Sequence, residues 1–410
     1  MRHEAARRQN GEKAYPIESG GVLYLSATGG MVIALDAATG APLWTYNAGL
    51  GNAPWWSVGI NRGVALGDGR VYLLTADDRL VALNATTSAL DFSTQLTSPA
   101  LGYSETSAPL VAGSVVVVGS AGGDQGVRGF VAGYSATTGV RLWKLFTVPA
   151  PGSEWNPATG SHGGGAVWTT PVWNPATGTL YAGTGNPSPN YFGGNRPGPD
   201  PYTDSVIAVH VSSGHLLWAA QEVPHDLWDY DVASPPVLFS RLGRLAVGEA
   251  GKDGLWYEWN ATTGAPLTPP IAFVRIDHSP PTPSGVEEWP GSEGGANYGP
   301  SAYDPVTRDT YIAGINGPQI LYSGVHSHAP MSAATTRARR HPVRPSMKVT
   351  IVPRTYAARH SRVAAGSARL GARRRRAGTG GGGFSGSGRG FTMRSRSARA
   401  HARGRALGDR

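Results

Sequence analysis

The sequence predicts an all-β protein, a β-propeller of four-stranded antiparallel blades followed by a basic tail outside that fold. Three observations predict it. Helix breakers are abundant, with 58 Gly and 32 Pro in 410 residues, which disfavours a mostly helical chain. One eleven-residue phrase recurs: ALDAATGAPLW from Ala34, ALNATTSALDF from Ala82, GYSATTGVRLW from Gly133, AVHVSSGHLLW from Ala208 and EWNATTGAPLT from Glu258. Its starts are separated by 48, 51, 75 and 50 residues, and a period near 50 lies in the range of propeller blades.

Within each repeat, an alternating or β-branched run such as GVLYLSATGGMVIAL or GRVYLLTADDRLVAL precedes the phrase. This reads as strand, turn, strand: an Asx side chain and a Gly set the turn, and the next strand carries an aromatic. Trp44, Trp143 and Trp218 recur at one phase of the repeat and are predicted to pack between neighbouring blades. The NAT tripeptides from Asn84 and Asn260 match a glycosylation sequon, but they fall in the repeat turn and are read as turn chemistry. Between Gly133 and Ala208 lies an insertion, 149–201, rich in Gly, Pro and Asn. Long loops on a rigid β scaffold are where sites tend to be built. WNPATGTLYAGTGN from Trp173 and YDPVTRDTYIAGIN from Tyr303 add hairpins of the same kind.

These signals divide the chain into a ragged start, 1–15, an incomplete propeller, 16–326, and a tail, 327–410. The tail holds 19 Arg and 1 Lys against one acid, whereas the preceding residues hold 16 basic and 26 acidic side chains. The high pI therefore belongs to the tail, and the propeller is not expected to bind nucleic acid. With Arg373–Arg376 in a row, a glycine run at 380–383 and few large apolar residues, the tail is expected to be disordered. Two readings of it stay open: an Arg/Gly arm that binds RNA, or coding DNA read in a shifted frame. The absence of cysteine excludes disulfides, thiolate metal sites, cysteine nucleophiles and covalently attached c-type haem in this chain. No apolar run approaches the roughly 20 residues that span a bilayer. The opening MRHEAARRQNGEKAYP lacks the apolar stretch of an export signal, so the expectation is a cytosolic protein or one whose true beginning is missing.

Between the repeats lie INRGVAL, TSAPLV, GSAGGDQGVRGFVAGY, GGGAVWTTPVWNP, GTGNPSPN, VPHDLWDYDVASPPVL, GKDGLWYEWN, GGANYGPSAYDP and AGIN. On these segments the chain from about Pro16 to Val325 resembles the PQQ-dependent quinoprotein alcohol dehydrogenases, of the methanol and ethanol dehydrogenase kind. Those are eight-bladed propellers carrying pyrroloquinoline quinone (PQQ) and a metal ion. About six blades are represented here, as in a chain truncated at both ends. The resemblance implies an oxidoreductase that converts a primary or secondary alcohol to an aldehyde or ketone by hydride transfer to metal-bound PQQ. It also implies Ca2+ or a lanthanide ion, an external cytochrome c or quinone as electron acceptor, and a periplasmic or other extracytoplasmic location. Non-catalytic propellers share the repeat turn, so a scaffold or binding propeller stays open beside an inactive dehydrogenase fragment.

Carried over residue by residue, the resemblance makes Trp168 the aromatic floor for the quinone and Asn186 a metal ligand. Asp124 falls where a ligating Glu is usual, and Asp229 matches the catalytic base. Asp231 implies a further metal ligand, as in lanthanide-dependent members, although the same Asp-aromatic-Asp pattern also resembles membrane glucose dehydrogenases, which use divalent ions; two residues apart on a strand it would share a face with Asp229. Lys252 stands where an Arg or Lys donates to the quinone oxygens. Arg62 and Thr106 match groups that hold the PQQ carboxylates, and Asn316 matches a further cofactor contact. His225 and Asp226 are read as structural, and His162 as a lone loop histidine. Three departures stand out: Trp56 and Ser57 replace a vicinal disulfide, Ala121 replaces a common Ser, and Lys13 replaces a Glu or Gln.

Overall fold

The computed structural model describes residues 13–54, 56–150, 155, 163–323 and, for backbone only, 346–352. Two units divide the chain at residue 367, and the second, 368–410, lies outside the described residues, as do His162 and most of the tail.

The turn phrase builds what its chemistry dictates. Asp36 Oδ1 accepts from the backbone N–H of Ala38 and Thr39 at 3.1 and 2.7 Å, and Asn84 and Asn260 accept likewise from the residues two and three further on. The two sequon asparagines thus serve as turn acceptors. Each phrase joins the third and fourth strands of a sheet, and in four sheets the register shifts at the same place, between Ala34 and Leu35, Ala82 and Leu83, Gly133 and Tyr134, and Ala208 and Val209. A bulge there adds local twist where the outer strand leaves the turn.

Among the described residues the strands form five four-stranded antiparallel blades, 17–47, 64–95, 110–146, 172–221 and 237–272, each with its strands paired in chain order. A three-stranded sixth sheet pairs Ala302–Tyr303, Thr310–Asn316 and Ser346–Val352. SMKVTIV is β-branched and alternating, and it pairs with Thr310–Asn316 along seven residues, because an unpaired edge accepts any compatible strand. A short ribbon joins Val286–Glu288 to Gln319–Leu321. Among the described residues no helix is long and apolar enough to cross a membrane.

The core is a series of seams between blades. Val71, Leu73, Val81 and Leu83 of the second blade pack on Tyr24, Val32 and Ala34 of the first, and the same layering repeats at each later junction. The phase tryptophans close these seams. Trp44 Nε1 donates to the carbonyl of Ala85 at 3.0 Å, Trp143 to Val211 at 2.7 Å, and Trp218 to Ala261 at 3.1 Å. Each acceptor directly follows the turn residue of the next blade. Burying an indole is favourable once its one donor is satisfied. Gly214 shows why the turn needs glycine: its φ is +71°, and a Cβ there would lie 2.6 Å from the Trp143 ring.

Candidate functional site

In a four-stranded meander, the segment entering the first strand and the loop between the second and third strands lie at one end, and the repeat turns lie at the other. The sequence-predicted site residues fall at the first of these ends. Arg62, Thr106, Trp168 and Asp229 with Asp231 enter the second, third, fourth and fifth blades, while Asp124, Asn186 and Lys252 follow the second strands of the third, fourth and fifth.

The loop carrying Asp229 is shaped by Asp226, whose carboxylate accepts from the N–H of Trp228 at 2.9 Å and of Tyr230 at 3.0 Å. Trp228 stacks on Tyr230 at 5.9 Å and donates to Ser279. This segment is not a strand, so the strand-face argument for Asp229 and Asp231 does not apply. Asp229 instead sits in the left-handed region with φ 68°, tolerated by Asp better than by bulkier residues and held by its surroundings. The two carboxylates meet at Lys252, whose Nζ lies 2.8 Å from Asp231 Oδ2 and 3.5 Å from Asp229 Oδ2. Lys252 is 4% exposed. Burial opposes its charge, but Asp229 and Asp231 outweigh burial and hold its pKa well above the usual lysine value. Asp229 is pushed well above the ordinary carboxylate range by burial, against the pull of Lys252 and with the push of Asp124 and Asp231.

Asp231 is the hub. Its Oδ1 accepts from Trp168 Nε1 at 2.9 Å and from the Asn186 N–H at 3.1 Å, so one carboxylate fixes the indole, the Asn186 backbone and the lysine. Gly185 permits this approach, since a Cβ there would stand 2.6 Å from Asp231 Oδ1. The Asn186 side chain donates to the Pro187 carbonyl at 3.0 Å. Asp124 is exposed to water; crowding by protein atoms and the charge of Asp231 raise its pKa, while Asn190, Lys252 and Asn186 draw it back.

On the other side of Trp168, the Arg62 guanidinium lies 4.6 Å from the ring centroid and 5.2 Å from that of Tyr298. It donates to Thr106 Oγ1 at 2.7 Å. Burial lowers its pKa to about 10, still cationic at neutral pH. Its buried Nε–H has no protein acceptor. Lys13 lies over Tyr298 at 5.2 Å.

Asn316 shares this end of the fold, but its side-chain oxygen accepts from the Arg275 N–H at 3.2 Å, and among the described residues no side-chain hydrogen bond joins it to the cluster. His225 bonds the Gly198 carbonyl at 2.8 Å, and Asp226 accepts from the backbone of its own loop. Sequence reasoning missed Asn190, Tyr191, Arg196 and Tyr298. Arg196 is fully buried, donates to the carbonyl of Pro189, and is held by the Asp200 carboxylate and the Asp226 carbonyl. A lone arginine in a Gly- and Pro-rich insertion was the available signal.

The family described as glucose/ethanol/alcohol dehydrogenase, beta-propeller domain (PQQ), matches residues 1–275. The chain belongs to this family. It is 32% identical to quinohemoprotein alcohol dehydrogenase ADH IIB of Pseudomonas putida over 349 residues, covering 74% of this chain and 49% of that protein. It is 33% identical to quinoprotein alcohol dehydrogenase PedH of Pseudomonas putida over 283 residues, covering 63% and 47%. Among solved structures, quinohemoprotein alcohol dehydrogenase from Comamonas testosteroni aligns with a TM-score of 0.69 at 28% identity over 77% of this chain and 53% of that one. A europium-containing methanol dehydrogenase aligns at 0.70 and 25% over 77% and 64%. The chain spans about half the length of the curated relatives it matches.

Proposed function

We propose that this site holds PQQ and one hard cation, Ca2+ or a lanthanide, and oxidises a primary or secondary alcohol to an aldehyde or ketone. The observation that carries the reading is a charge imbalance: Asp124, Asp229 and Asp231 lie together, joined through Asn190 and Lys252, and among the described residues the one ammonium in ion-pair distance of them is that of Lys252. Hard oxygen donors with surplus negative charge suit a hard cation. Among the described residues no three acidic or imidazole side chains already close at ligand spacing, because Lys252 and Asn190 stand between the carboxylates. The cation would be held by Asp124, Asn186 and Asp229. Asp231 is a further candidate, although its oxygens already take Trp168, Asn186 and Lys252.

The carboxylated, flat cofactor fits the other half of the site. Arg62, with its unpartnered Nε–H, and Thr106 would take its carboxylates, and the Trp168 ring would stack on it once Arg62 moves off that face. Bound PQQ supplies a hydride acceptor and the cation a Lewis acid. Asp229 takes the hydroxyl proton of the alcohol, a task that calls for a positioned base beside the reacting carbon. Lys252 holds Asp229 and Asp231 in place and donates towards the cofactor oxygens. Asn316 is proposed only as an outer cofactor contact. An external cytochrome c or quinone is proposed as the electron acceptor. We place this activity outside the cytoplasm.

The test is dye-linked alcohol oxidation by the full chain, with and without PQQ and with Ca2+ or La3+, beside PQQ binding followed by tryptophan quenching. Asp229→Asn should retain PQQ binding and lose at least about 100-fold in rate. Absence of PQQ binding at any cation concentration would end the proposal.

A further inference from the structure

We infer that Asn190 is a positioning residue that sets the spacing of Asp124 and Asp229. The inference rests on the proposed cation reading. Asn190 Nδ2 lies 3.0 Å from Asp124 Oδ1 and 3.1 Å from Asp229 Oδ1, contacts that reach across 66 and 39 residues of chain. Only the amide nitrogen can face two carboxylate oxygens, because two acceptors opposite its own oxygen would repel; the orientation of the amide follows from its partners. Its two N–H bonds diverge by about 120°, which holds the two oxygens roughly 5 Å apart. Each acid then keeps its Oδ2 free of Asn190, that of Asp229 facing Lys252 at 3.5 Å, and a cation shared by the two acids would need their oxygens within about 2.5 Å of it.

Neither acid is fixed by an element of its own. Asp124 sits on a single turn, Gly123–Gln125, bracketed by left-handed glycines at φ 100° and 75°. Asp229 lies in a loop at φ 68°. Without a donor between them, like charges would drive the two side chains apart. Asn190 is itself anchored one residue away, where Arg196 grips the Pro189 carbonyl at 3.1 and 3.3 Å. The same guanidinium binds the carbonyl of Asp226 in the loop that carries Asp229. One buried arginine therefore ties the amide to the acid it serves.

Terbium(III) is the probe, added alone to the full chain and excited through its tryptophans. The wild type should bind it saturably. Asn190→Leu fills the same volume without donors and should weaken terbium binding about 10-fold or more, the expected loss for hydrogen bonds to charged groups. Its luminescence decay in H2O against D2O should report at least one additional bound water, which a merely structural change elsewhere would not produce. Thermal unfolding without metal should stay cooperative. If Asn190→Leu fails to fold, Asn190→Ser, whose one hydroxyl can serve only one acid, should give an intermediate loss. Wild-type affinity and hydration in either folded variant would overturn the inference alone. A wild type that binds no terbium would overturn the cation reading and the inference with it.

Discussion

Lys252→Met removes one positive charge and almost no volume from the centre of the site. The ammonium it deletes lies 2.8 Å from Asp231 and 3.5 Å from Asp229, and the three side chains are only 5%, 9% and 17% exposed. Solvent therefore screens these pairs little, and two carboxylates are left facing each other in a site with no other ammonium within ion-pair distance among the described residues. Breaking a buried pair by removing one partner costs about 3–5 kcal/mol, far above the 0–1 kcal/mol of a surface pair. The measurement is urea unfolding of the metal-free chain at neutral pH, monitored by tryptophan fluorescence. Asp231→Asn in the Lys252→Met background should recover part of the loss, with the two changes departing from additivity by about 1 kcal/mol or more. A loss under about 1 kcal/mol, or strict additivity, would show that the ammonium does not hold these carboxylates.

Seam closure and pH give two more tests. Trp143→Ala removes a ring that is 8% exposed and its bond to Val211; the expected cost is about 3–5 kcal/mol, read as a lower melting temperature, while a change below about 1 kcal/mol would contradict the seam. Glu222 and Glu249 have buried carboxyl oxygens, and burial followed by the charge of neighbouring acids raises both well above 4.5. The folded state then holds protons that the unfolded chain releases, so this pair's contribution is complete below about pH 4.5 and is lost as pH rises through the raised folded values. Melting temperature should fall as pH rises above about 4.5, and Glu249→Gln should flatten that slope; an unaltered slope would assign it to other groups.

The repeat was legible because its chemistry is local. An Asx acceptor bonds the two residues that follow it, and a tryptophan at fixed phase finds the next turn, so Asp36, Asn84, Asn260, Trp44, Trp143 and Trp218 were readable from spacing alone. The cluster of Asp124, Asn186, Asp229, Asp231, Lys252 and Trp168 was reached through the segments between repeats, and Arg62 with Thr106 likewise. What spacing could not supply was the pairing within the cluster: that Asp231 is the shared acceptor, or that Arg62 lies on Trp168. Asn190 follows a Pro-Ser-Pro run and carries no signal of its own, because its partners are remote in sequence. Arg196 was hidden in the same way. Asn316 lies at the right end of its strand, yet its amide is used by the Arg275 backbone, a choice made by loop packing. The strand 346–352 escaped notice because arginine-rich surroundings masked seven residues of good β character.

The bond from each indole to the carbonyl just past the neighbour's turn gives the molecule an accounting unit smaller than the whole. Cohesion is contributed couple by couple, each blade feeling chiefly the one before and the one after it, in the manner of a row of coins rather than a kneaded ball. A lesion at one junction should loosen two adjacent modules and leave distant ones nearly as firm. Duplication or deletion of a module at a junction keeps the same donor and acceptor available to whichever blade becomes the new neighbour.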